Sequence, residues 1–153
     1  MFDPTFLGGL VAGLVAGGLA TLAMDVAMKR LPEGSTPPKV AASVLAGTDV
    51  DAAPGRLASV VHYVSGAGSG VLTAAMLASA VGIGGGFGAV PVAVGVAVVM
   101  FTCMVGFFAL VPLPRATGLA RQRLRRVRRD WAVCAAVYLT VAIPVLLVVG
   151  RGV

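Results

Sequence analysis

Four long runs dominate the alternation of apolar and polar positions along this chain: Phe6 to Met28, Leu57 to Ile83, Phe87 to Val111 and Trp131 to Val149. A helix of about 20 apolar residues crosses the ~30 Å hydrocarbon layer of a bilayer, so each run is long enough to span it. None alternates strictly as a barrel strand does, and a backbone facing lipid must bond within its own segment. The pattern predicts an all-α integral membrane four-helix bundle, forming a single domain over residues 1–153.

The segments between the runs carry their own signals. Pro37-Pro38-Lys39 leads into Val40, Ala41, Val44 and Leu45, a spacing that gathers apolar residues on one side of a short helix lying along the membrane interface. Gly47 is placed to end that helix, Asp51 to cap the next one, and Pro54 is tolerated in its first turn, with Arg56 at headgroup level. Further on, Ala120, Leu124, Val127 and Trp131 form one stripe, and Arg121, Arg123, Arg125, Arg126, Arg128 and Arg129 fill the remaining sides. This stretch reads as an amphipathic extension of the fourth span, with Trp131 at the interface and the arginines in contact with anionic lipid headgroups or an acidic partner. No aromatic platform or folded recognition module accompanies the arginines, so nucleic acid is not the expected partner.

Charge sets the orientation. Lys29, Arg30, Lys39 and Arg56 lie between the first two spans, and seven arginines from Arg115 to Arg129 lie between the last two. The loop Gly84-Gly85-Gly86 has no charge, and the tails carry only Asp3 and Arg151. Basic loops stay in the cytoplasm, so both termini are expected outside the cell membrane. The first span, lacking a basic leader and a clear cleavage site, is expected to be retained. Composition agrees: 58% of residues are hydrophobic and 12% charged, where soluble domains average about 25% charged. Cys103 and Cys134 lie in apolar runs without metal-type spacing and read as buried thiols, and no cofactor or metal is expected.

Small residues give the bundle its most specific prediction. Gly9, Gly13, Gly17, Thr21 and Asp25 recur every four residues on the first helix; His62, Gly66, Gly70 and Ala74 do so on the second. Two such ridges allow backbones to touch. Asp25 and His62 then fall at similar depth, about 6 to 9 Å inside the basic boundary at 1.5 Å per residue. A carboxylate buried in hydrocarbon needs a partner; His62 is the first candidate and Arg56 the second. Such a pair either locks two helices together or handles protons, since imidazole changes charge near neutral pH. One His, one Asp and scattered methionines make a poor metal ligand set. In the back half, Pro144 inside the fourth span is expected to kink it, a place where a cavity can form.

The glycine-rich first helix ending Met24-Asp25, the Pro37-Pro38-Lys39 segment and the second helix with His62, Gly66 and Gly70 resemble the YagU-like family of small prokaryotic inner-membrane proteins. The resemblance covers the first half of the chain and implies a prokaryotic membrane protein, in a family linked with acid tolerance. No paired carboxylates, activated nucleophile or phosphate loop occurs at a workable spacing, so an enzyme is not expected. The reading carried forward is a non-enzymatic accessory or scaffold subunit of a larger membrane complex, joined to other subunits or to itself. The alternative is a small oligomeric channel or proton-linked transporter using Asp25 and His62.

Overall fold

The computed structural model describes residues 4–83 and 89–149. All the regular elements among them are helical: α1 (Pro4–Met28), α2 (Thr36–Ala46), α3 (Gly55–Ile83), α4 (Ala89–Leu110), α5 (Pro112–Arg115) and α6 (Arg121–Val149), with one 3-10 turn at Val50–Ala52. Four of them, α1, α3, α4 and α6, are long and apolar enough to cross a membrane. The start of the third predicted span at Phe87, the Gly84-Gly85-Gly86 loop, and Asp3 and Arg151 of the tails lie outside the described residues.

Helices α1 and α3 run antiparallel in backbone contact, because glycine leaves nothing between them. A Cβ on Gly13 would stand 2.6 Å from the Val71 Cα, and one on Gly17 would stand 2.6 Å from the Gly66 carbonyl oxygen. On the α3 side, a Cβ on Gly70 would strike the backbone of Gly13 and Gly17, and one on Gly66 the Thr21 hydroxyl. Thr21 is wholly buried there and turns its hydroxyl back to the Gly17 carbonyl at 2.7 Å, so the seam stays dry without an unsatisfied polar atom. Gly9 departs from the prediction: it is exposed, and a Cβ there would meet nothing within 4 Å. Steps of four residues turn about 40° around a helix, so the small-residue row winds off the contact face before it reaches Gly9.

On its other side α1 packs against α6, which in turn packs on α4. Ala16, Ala20 and Met24 meet Met100 of α4 and Cys134, Tyr138 and Ala142 of α6 in one buried cluster. A second, smaller core lies at the end where the chain crosses between helices, formed by Val40, Val50, Phe108, Leu113 and Val127. The two long connections are thereby fused. Asp49 and Thr117 form an isolated parallel bridge, with the Val50 N–H donating to the Thr117 carbonyl at 3.1 Å. Gly118 makes this approach possible, since its φ of 75° suits glycine and a Cβ would lie 2.8 Å from the Asp49 side chain.

Three local readings are refined by this end layer. Helix α2 does end at Gly47, in left-handed backbone with φ 64°, yet its apolar side meets protein: Val40 is fully buried while Leu45 is 68% exposed. Asp51 does not cap α3; it sits in the 3-10 turn and pairs with Arg123. Trp131, expected at a lipid interface, is half-buried against Phe108 with ring centroids 5.1 Å apart, and its indole N–H donates to the Met104 carbonyl at 3.1 Å.

Candidate functional site: an acid, an imidazole and a side cavity

Asp25 stands in the last turn of α1, one step along the ridge from Thr21, and His62 in the second turn of α3. The seam brings them together: His62 Nε2 lies 2.8 Å from Asp25 Oδ1. Tyr63 completes the group by donating its hydroxyl to Asp25 Oδ2 at 2.5 Å. The His62 side chain is 10% exposed and that of Asp25 26%. Arg56, the other candidate partner, is exposed and forms none of the ion pairs among the described residues. Sequence reasoning missed Tyr63, although its place directly after His62 was a usable signal: neighbouring helical positions sit about 100° apart and can flank one carboxylate from two sides.

This arrangement fixes the ring's chemistry. A carboxylate only accepts hydrogen bonds, so His62 Nε2 carries the hydrogen directed at Asp25. In the neutral ring Nδ1 is then left as an acceptor. His62 also lines a cavity of about 500 Å³ bounded by α2, α3, α4 and α6, with single residues from α1 and α5. The wall is mainly apolar and aromatic, with Met24, Met100, Phe108, Trp131 and Tyr138 at its back and Pro37, Pro38 and Pro112 at one end. Ser65, Gly68 and Leu72 of α3 and Phe107 of α4 are exposed on its rim, as is Cys103, which unlike Cys134 is not the buried thiol expected, so the mouth opens between α3 and α4. Tyr138 spends its hydroxyl on the Gly66 carbonyl at 2.6 Å. A second hollow, of about 560 Å³, lies between α4 and α6 and is lined in part by Pro144. Its lining is apolar except for Thr140, whose hydroxyl bonds to the Val137 carbonyl.

At the fused end the acidic side chains recruit part of the arginine run. Arg123 grips Glu33 through Nε to Oε1 at 2.8 Å and Nη2 to Oε2 at 3.0 Å, and reaches Asp51 through Nη1 at 3.1 Å. The Arg123 hydrogen bond holds the Glu33 carboxyl below its ordinary 4.5, against the opposing effect of burial. Asp130, wholly buried, accepts the Glu33 backbone N–H at 2.9 Å on Oδ2 and the Arg129 guanidinium on Oδ1. Two of the six arginines assigned to lipid or partner contact, Arg123 and Arg129, are therefore engaged within the chain, Arg123 half-buried. Arg121, Arg125, Arg126 and Arg128 remain exposed.

The chain matches no known protein family, no curated protein and no solved structure. Among the described residues no three His, Cys, Asp or Glu side chains converge as a metal site would require. The polar groups at depth are few, and Thr21 and Thr73 are each turned back onto their own helix, Thr73 to the Ser69 carbonyl at 2.7 Å.

Proposed function

We propose that this chain is a multi-pass protein of a prokaryotic cell membrane, without a reaction of its own, serving as an accessory or scaffold subunit of a larger membrane assembly. The observation that carries this reading is a set of glycines in the long helices that the chain itself does not use. Added Cβ atoms at Gly68, Gly95 and Gly106 would meet nothing within 4 Å. Glycine weakens a helix by about 1 kcal/mol relative to alanine, and in lipid small residues serve close approach of another helix. The outer faces of α3 and α4 thus have the texture of a helix-packing surface. The free arginines Arg121, Arg125, Arg126 and Arg128 would face the cytoplasm and hold anionic headgroups or an acidic neighbour, with both termini outside. The YagU-like resemblance of the first half fits such a protein. Purification from native membranes with stoichiometric companions is the expected result; recovery only as a lone monomer refutes the reading.

A second reading rests on the Asp25–His62 pair, which suits a proton-linked channel or transporter formed by several copies. Within one chain the seam beyond the pair is closed by backbone contact at Gly13, Gly17, Gly66 and Gly70. A route would therefore have to pass between copies. A pH-dependent flux in proteoliposomes that Asp25→Asn abolishes would establish it, and a flux unchanged by that substitution would remove the pair from the route.

A further inference from the structure

We propose that the cavity between α3 and α4 is a binding site for a phenolic lipid, an apolar molecule whose ring hydroxyl donates a hydrogen bond to Nδ1 of His62. Its size, about 500 Å³, falls within the roughly 300 to 1,000 Å³ of sites that enclose small ligands. Its mouth is framed by Leu72 and Phe107 in helices apolar enough to span a membrane, so a ligand enters from the lipid phase.

The choice of a phenol follows from the wall. The His62 side chain is nine-tenths buried, its Nε2 is occupied by Asp25, and among the described residues Nδ1 has no hydrogen-bond partner. Tyr63 and His62 both point their hydrogens at the same carboxylate, which fixes the ring so that in its neutral form Nδ1 presents a lone pair. A hydroxyl satisfies that acceptor, whereas a ketone or ether oxygen does not. Phe108, Trp131 and the thioethers of Met100 and Met104 line the interior, and aromatic and sulfur groups favour a flat ring over a saturated chain. Tyr138, the other polar aromatic of the wall, keeps its hydroxyl on Gly66. The imidazole is thus the group that orients the ligand. Gly68 lies both on the rim of this cavity and on the face assigned to packing, so the mouth is open to lipid in the chain reconstituted alone.

Trp131 is the chain's single tryptophan and lines the cavity, which makes it the reporter. The protein is reconstituted in phosphatidylcholine nanodiscs, and its fluorescence is titrated with a brominated long-chain alkylphenol and, separately, with the methyl ether of the same molecule. The phenol should quench saturably, and the ether about fivefold or more weakly, the equivalent of about 1 kcal/mol for one hydrogen bond. Ser65→Leu, an exposed rim position outside the glycine seam, should fill the mouth and abolish saturable quenching while the Asp25 pair stays intact. Quenching that rises linearly with both probes, as for bulk lipid, overturns the site. Equal affinity for phenol and ether overturns the role of His62, and saturable quenching that survives Ser65→Leu overturns the location.

Discussion

Gly17 and Gly18 are neighbours in sequence with opposite surroundings, and replacing each by alanine isolates what the seam contributes. A methyl on Gly18 would meet nothing within 4 Å, whereas on Gly17 it would stand 2.6 Å from the Gly66 oxygen and 3.1 Å from the Ala67 Cα. These are backbone atoms of α3 and cannot rotate aside. Restoring ordinary contact at 3.4 Å needs a displacement of 0.8 Å, the difference between 3.4 and 2.6. If the helices separate rigidly, the 2.8 Å link between His62 and Asp25 stretches by a similar amount and ceases to be a hydrogen bond. Overpacking of this kind costs about 1 to 3 kcal/mol, and the lost bond about 1 kcal/mol more. Both substitutions gain the same helix propensity, roughly 1 kcal/mol, so their difference isolates the seam. Reversible unfolding in mixed micelles with a denaturing detergent should place Gly17→Ala about 2 to 4 kcal/mol below Gly18→Ala. Midpoints that agree within about 0.5 kcal/mol would refute the close-contact argument, and Gly9→Ala should behave like Gly18→Ala.

Asp130→Ala should cost about 1 to 3 kcal/mol in the same assay, because it orphans the part-buried Glu33 N–H while Arg129, largely exposed, can return to water. Asp130→Asn, which retains an acceptor, should cost less. Because Arg123 depresses the Glu33 pKa in the folded state, the stabilisation is complete above the ordinary 4.5 and is lost as pH falls through the lower folded value. Thermal melts should therefore fall more steeply below about pH 4.5 in the native chain than in Glu33→Gln; parallel curves would exclude the carboxylate as the source. The chain's single histidine permits a direct check of the ring: nitrogen NMR of labelled protein in alkaline buffer, where the ring is neutral, should show the Nε2–H tautomer, and Asp25→Ala, which removes the acceptor, should abolish that preference.

Much of the bundle was legible because a bilayer removes choices. Four apolar runs could only become helices, and the i, i+4 glycines on two of them named the pair that touches and the register that joins Asp25 to His62. What escaped was non-local. Glu33 sits in a short aperiodic turn and Asp130 in an arginine-rich helix, where each reads as a solvated charge; the Glu33 N–H reaches Asp130 across 97 residues of sequence. Nothing in either segment signals that the other exists. Gly9 failed for a different reason, since sequence spacing marks a row on one helix but not where the partner helix diverges from it.

The same non-local contacts explain why the cavity lies where it does. Helices α1, α3 and α6 are tied by the glycine seam, the Ala16–Ala20–Met24 core and the Tyr138 bond to Gly66. Helix α4 also packs on α3, but among the described residues no side-chain hydrogen bond joins the two. It is held through α6 and, near its end, by the Phe108–Trp131 contact and the Met104 carbonyl that receives the indole N–H. The mouth of the cavity lies between the exposed rims of α3 and α4, and its end wall, Pro37, Pro38 and Pro112, belongs to the layer anchored by Val40 and Leu113. Proline fixes that wall with little backbone freedom to lose. The cavity is thus bounded by the tied helices and the proline layer on three sides and by α4, held through Trp131 at its end, on the fourth.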